Sequence, residues 1–374
     1  MNVFAMYLPQ YHCIPENDAF WGKGFTDWVT VKKAKPLFNG HWQPRIPLGD
    51  NYYDLSEIKN IRWQARIARE YGVSGFGIYH YWFNNDTNIL TKPAEIIKDH
   101  EDIDIDYFFA WDNGNWKRSW SNVQGNDWAP LMEDSTQKTS GPQILIPYVL
   151  GGKPDWKNHF EYLLTFFRDS RYLRIDGKPV FVIYNYSPQI KLMADYWDEL
   201  AQKSGLAGVC VIYRNIERGK FIRKTIIPES EFRYNYEPIF TGWNSPTLFQ
   251  RVRNRLYKEM GVRPQKGIRR LNYDKVWNDI LQNAAKKYNE KNIFHGGFVS
   301  YDDTPRRGVR GTIIEGASPE KFNRYFSKLI EISEKQGKQY IFLTAWNEWG
   351  EGAYMEPDTR LKYKYLEALH DAQK

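Results

Sequence analysis

The chain has 374 residues, a net charge of +7 and 17% aromatic residues, which is enough for one large α/β barrel or two ordinary domains with a sizeable core. Only Cys13 and Cys210 are present, so a disulfide framework and a cysteine-based zinc site are excluded, and no apolar stretch reaches the length of a membrane span. The positive charge is not gathered into a block. The most basic stretch, 251–270, mixes Arg and Lys with Leu, Val and Tyr, so no nucleic-acid face is legible, although an acidic polysaccharide or a nucleotide-diphosphate sugar would suit the same charge.

The N-terminus, Met1 to Pro9, lacks a basic segment followed by a long apolar one, and it runs straight into a strand. A soluble, cytoplasmic protein is the expectation. In chain order, strands are predicted at 3–7, 75–79, 107–111, 180–184, 208–213, 232–236, 294–300 and 340–345. Helices are predicted at 55–71, 94–99, 156–169, 189–203, 246–259, 273–289, 319–336 and 361–372, the long ones with apolar residues at i, i+3, i+4 and i+7. Ser318 before Pro319 reads as a cap followed by proline at the first helical position. About eight strand–helix units without a Pro/Ser-rich linker predict an α/β chain folded as a single (β/α)8 TIM barrel over 1–374. The irregular stretches 9–54, 112–148 and 214–231 then become long loops on the C-terminal face, where such barrels carry their sites. A doubly wound sheet is the alternative. It would want a glycine-rich phosphate turn after an early strand, and here Leu8-Pro9-Gln10-Tyr11-His12 stands in that place.

Aromatic and polar residues crowd the strand ends. The first strand contributes Tyr7, Gln10 and His12; the second Tyr79, His80 and Trp82; the third Trp111 and Asp112. The sixth offers Asn235, the seventh Tyr301 and Asp302, and the eighth Trp346, Asn347, Glu348 and Glu351. Each taken singly also fits a core residue, His80 above all. Together they describe a wet, aromatic-walled cleft, since aromatic faces stack on sugar C–H faces while polar neighbours bind hydroxyls.

The run Trp346-Asn347-Glu348-Trp349-Gly350-Glu351-Gly352 places two carboxylates three residues apart at a strand mouth. Glycosidic chemistry needs such a pair, one carboxyl protonated near neutrality and the other ionised. A polar turn after an edge strand is the plainer alternative. The seven histidines show no ligand spacing and no G-x-S-x-G elbow is present, so neither a metal nor another cofactor is expected. Asp102-Ile103-Asp104 is a D-x-D of the kind that holds a divalent cation in some glycosyltransferases, but it precedes its strand and reads as a solvated turn.

Several segments carry a resemblance: Ala5 to His12, Trp21 to Trp28, Tyr79 to Phe83, Phe108 to Asn113, Tyr301 to Arg307 and Trp346 to Glu351. Together they resemble the WbsX family of bacterial surface-polysaccharide clusters, through nearly the whole chain. That family has been described as glycosyltransferases, and it is also similar to family 99 glycoside hydrolases, (β/α)8 barrels that act as endo-α-mannosidases. The second resemblance rests on the Asn-Glu-Trp-x-Glu-Gly motif and on Tyr301 to Thr304. It implies that Glu348 acts as base toward the sugar 2-hydroxyl, closing a 1,2-anhydro intermediate. Glu351 is then acid to the leaving oxygen and base to water, with net retention and with Tyr301 beside the pair. Family 99 usually has His before the second glutamate, where this chain has Gly350, so the resemblance carries over the catalytic pair and leaves the shape of the subsite and an endo-α-mannosidase-like preference open.

These observations lead to a retaining glycoside hydrolase with a surface glycan or its precursor as partner. Glu351 is expected to have its pKa raised by a tryptophan wall, and Glu348 to face it, ionised, across a sugar-sized gap. Tyr301, Asn347 and Asp302 are expected to orient the sugar, and Trp28, Trp82, Trp111 and Trp346 to be stacking platforms. A glycosyltransferase and a non-catalytic carbohydrate-binding barrel are the competing readings.

Overall fold

The computed structural model describes residues 1–117, 144–215, 227–242, 267–286 and 291–374. Eight parallel strands close on themselves. They are β1 (Asn2–Tyr7), β2 (Gly75–Asn84), β3 (Asp106–Trp111), β4 (Lys178–Ile183), β5 (Cys210–Asn215), β6 (Phe232–Asn235), β7 (Ile293–Phe298) and β8 (Tyr340–Thr344). Each is hydrogen-bonded to the next, and β1 pairs with both β2 and β8. Helices α1 (Ile58–Glu70), α2 (Lys92–Asp99), α3 (Lys153–Phe167), α4 (Pro188–Lys203), α5 (Tyr273–Lys286), α6 (Pro319–Lys335) and α7 (Lys364–Ala372) alternate with the strands. The fold is the expected (β/α)8 barrel. The helix predicted at 246–259 lies outside the described residues.

Both faces of these strands are covered, so they read as continuous apolar runs. Inside, the Phe342 ring packs on those of Phe108, Phe294 and Tyr234, and Phe108 packs on Phe4, with centroids 5.2–5.7 Å apart. Gly77 makes room for them, because a Cβ there would lie 2.7 Å from the Phe108 ring and 2.8 Å from Met6 Sδ. Outside, α1 lays Ile61, Ala65 and Ala68 against the strands at i, i+4 and i+7. Ser187 and Ser318 cap α4 and α6, each accepting a backbone N–H three residues on.

Two features were not read from the sequence. Strand β2 continues past Tyr79 because it turns into a hairpin with Thr87–Ile89, pairing Tyr81 with Ile89 and Trp82 with Asn88. The loop 9–54 contains two short helices, Pro15–Trp21 and Asp27–Lys33, and the second brings an aspartate to the barrel mouth.

Candidate active site

One guanidinium organises the mouth. Arg306 lies on a single-turn helix (Thr304–Arg307) that follows β7 and the short strand Tyr301–Asp302. It is 5% exposed. Its Nη2 is 3.1 Å from Glu348 Oε2 and 3.1 Å from Asp27 Oδ2, and its Nη1 is 2.9 Å from Glu351 Oε1. The two glutamates of the sequence motif thus stand at the same rim and share one cation. Three carboxylates around a single guanidinium leave an excess of negative charge, which favours retention of a proton. Burial pushes the Glu348 carboxyl well above the usual range, Glu351 and Asp27 add to this, and Arg306 opposes it.

Gly350 explains how the arginine fits. A Cβ there would sit 2.5 Å from Arg306 Nε and 2.6 Å from Asp27 Oδ2. The Arg306–Asp27 pair therefore fills the space into which a side chain at 350 would project.

The wall around the carboxylates is phenolic, not indolic. Tyr79 and Tyr236 share a hydrogen bond of 3.0 Å between hydroxyls, Gln10 Nε2 donates to the Tyr81 hydroxyl at 3.4 Å, and Tyr301 donates to Asp303 at 3.3 Å. Burial and the nearby glutamates raise the pKa of Tyr79, Tyr81, Tyr236 and Tyr301 alike, so all four are neutral donors. Asp112, at the end of β3, is open to solvent. Enclosure in the recess still raises its carboxyl, with Arg214 opposing. Asn235, at the end of β6, accepts from Asn215 at 2.9 Å.

Of the residues expected here, the structure brings together Glu348, Glu351, Tyr301, Tyr79 and Gln10, with Asp112 and Asn235 in the same mouth. Others face elsewhere. The Tyr7 hydroxyl points outward and donates to Gln64 of α1. His80 Nε2 lies 2.8 Å from His159 Nε2 of α3, and burial lowers its pKa to about 3. The Trp82 ring stacks on His159 at 4.3 Å, and Trp111 is buried with its Nε1 donating to Trp82 O. His12 is buried near Asp54. Trp28 donates to Tyr53 O and packs on Tyr11, while Trp346 is wholly buried beside Phe76. Trp28, Trp111 and Trp346 fill the core behind the mouth and the half-buried Trp82 packs over His159 of α3, so the stacking platforms expected of these indoles are not beside the carboxylates. Among the described residues the tryptophan wall expected to raise Glu351 is absent, and burial raises Glu348 instead, the carboxyl expected to be ionised, so that near neutrality it tends to hold its proton.

Asn347 and Asp302 hold the backbone. The Asn347 amide accepts from Leu8 N (2.7 Å) and donates to Leu8 O (3.0 Å), tying the end of β8 to the end of β1. Asp302 accepts from His41, Gln43 and Thr304, which fixes the loop around 41–45. Beneath the motif, Glu356 accepts from Tyr53, Gln64 and Trp349 at 2.7–2.8 Å.

Burial lifts Glu356 to about 7 and Glu237, bonded to the Thr241 N–H and hydroxyl, to about 8. Unfolded glutamates titrate at about 4.3. Between that pH and 7–8 the unfolded chain has lost protons that the folded chain keeps, so stability falls as pH rises through this window. Thermal melts should give a Tm lower by at least about 3 °C at pH 8.5 than at pH 5.5, and Glu237→Gln should flatten part of the slope. A Tm rising with pH would contradict this assignment.

The D-x-D aspartates lie at the opposite end of the barrel. Asp102 pairs with Arg62 and Asp104 with Arg69, both at the surface. Among the described residues no His/Cys/Asp/Glu group could hold a metal ion, and no helix is long and apolar enough to cross a membrane.

Comparison with known proteins fits this picture. The family described as "Glycosyltransferase WbsX" matches residues 3–369. Two strains of Xanthomonas campestris pv. campestris carry an uncharacterized protein, WxcX, that is 30% identical over 380 residues, covering 99% of this chain and 49% of that protein. The chain thus spans about half the length of the curated relatives it matches. A GH99 endo-α-mannosidase from Bacteroides thetaiotaomicron superposes with a TM-score of 0.53 at 15% identity, covering 100% of this chain and 95% of that one. A structure described as a glycoside hydrolase-like protein gives 0.54 at 12% identity, covering 100% and 94%. At these identities the likeness establishes the barrel fold, whereas the match over 3–369 establishes kinship: the chain belongs to the WbsX family.

Proposed function

We propose that the protein is a retaining glycoside hydrolase acting on a bacterial surface polysaccharide or its precursor. The observation that carries this reading is the Glu348–Arg306–Glu351 bridge at the rim of a phenol-lined mouth. The GH99-like barrel and the family's surface-glycan context support it.

Glu348 is the more buried of the two, with its side chain 5% exposed against 19% for Glu351. Its raised pKa suits a base working near neutrality, because a stronger base takes a hydroxyl proton more readily. As Glu348 removes the proton of the sugar 2-hydroxyl, that oxygen attacks the anomeric carbon and closes a 1,2-anhydro ring. Glu351, facing solvent, gives its proton to the departing glycosidic oxygen. Water then adds to the anomeric carbon, Glu351 takes the water proton, and Glu348 returns its proton to the 2-oxygen. Two inversions give net retention.

Incubation with surface glycans from the source organism should release reducing ends, first seen by NMR in the anomeric configuration of the cleaved bond. Inverted product, or none from any such glycan, would refute the assignment. The family's own description supports a glycosyltransferase as the second reading. It requires tight binding of a nucleoside diphosphate with Mn²⁺ in a calorimetric titration.

A further inference from the structure

We propose that this mouth takes an acidic glycan and that Arg214 seats the anionic group. The inference rests on reading the mouth as a sugar site and adds the class of sugar. Arg214 is the penultimate residue of β5, partly buried among the strand ends. Its guanidinium lies 4.1 Å from the ring centre of Tyr184 and 5.6 Å from that of Tyr236. Its Nε is shielded from solvent and has no hydrogen-bond partner, and among the described residues the side chain makes no ion pair.

Two other enclosed arginines, Arg306 and Arg171, are amply partnered, and Arg45, whose Nε is also without an acceptor, still donates through its Nη1 to Ser300 and Gly352 O. Arg306 meets three carboxylates, and Arg171 bonds Asp169 and four backbone carbonyls. Asp112 is a carboxylate that feels Arg214, but among the described residues it makes no ion pair with it, and enclosure raises its carboxyl. A planar fork of N–H donors, braced on two phenol faces and lacking an acceptor, fits a carboxylate or phosphate. Tyr236 stands between the two centres. One side approaches Arg214, and its hydroxyl feels Glu351 and Glu348. The anionic group thus belongs to a sugar bound next to the reacting one. The net charge of +7 draws such a polyanion to the protein.

The test is equilibrium binding by the full chain, read by NMR titration, with D-glucuronate, D-galacturonate, their neutral parents glucose and galactose, and glucose 6-phosphate. Inorganic phosphate alone is the anion control. At least one acidic sugar should bind roughly tenfold or more tightly than its neutral parent, the carboxylate and phosphate arms telling which anion fits. Arg214→Met, which keeps the stem on Tyr184, should abolish the advantage, and Arg214→Lys should keep part of it. Equal binding of acidic and neutral sugars, no binding by any acidic sugar, an advantage that survives Arg214→Met, or an effect reproduced by inorganic phosphate would each overturn the proposal. Because cleavage is not the readout, acidic-sugar binding without hydrolysis would fail the hydrolase reading alone. Cleavage of a neutral glycan indifferent to Arg214→Met would fail only this one.

Discussion

Glu351→Gln should lower kcat/KM by about 10²–10⁴-fold on a glycan with a sugar leaving group, and far less on an aryl glycoside whose leaving phenol needs no protonation. The expectation comes from position. Glu351 is the more solvent-accessible of the two glutamates, its side chain 19% exposed, and the amide preserves its shape while removing the proton. Glu348→Gln should behave differently and disable both substrates to a similar degree, because attack by the 2-oxygen requires its base whatever group leaves. Steady-state kinetics of the two variants on the two substrates separates the roles. Equal losses for Glu351→Gln on both substrates would remove it from the acid position. A selective loss for Glu348→Gln would exchange the two assignments.

The barrel and the glutamate pair were legible because both are written locally. Short apolar runs with amphipathic helices between them announce the strand–helix alternation, and the two glutamates follow directly on the last run. Side-chain direction was not legible. Along β2 the residues alternate, Tyr79 and Tyr81 toward the mouth and His80 and Trp82 toward α3, as the period of two requires. Since both faces of a barrel strand are buried, the apolar pattern does not say which parity faces the axis. Tyr7 was misplaced for the same reason, and Trp346, although beside the glutamates in sequence, points into the core. Arg306 and Asp27 stand inside the family-like segments, yet nothing local gives them a role. They are 279 positions apart and meet only because a loop from the first strand and one from the seventh reach the same rim.

Arg306 and Gly350 should be coupled more strongly than any other pair at this rim. Arg306→Gln takes from the Asp27, Glu348 and Glu351 cluster the cation that all three share, so buried carboxylates lose their partner, at a cost of about 3–5 kcal/mol unless they take up protons. Arginine opposes the rise in the Glu348 pKa, so its removal should raise that pKa further. The sign follows directly: a base of higher pKa is ionised only at higher pH. The acid limb of the kcat/KM profile should therefore move upward, and activity at pH 7 should fall. Gly350→His should give the same signature, since its Cβ would lie 2.5 Å from Nε of the Arg306 guanidinium and 2.6 Å from Asp27 Oδ2, so the guanidinium must leave the carboxylates to make room. If both variants act by vacating one site, the double variant should be little worse than the poorer single one, in melting temperature and in the position of the acid limb. Additive losses would mean that Gly350 serves the backbone turn and not the arginine.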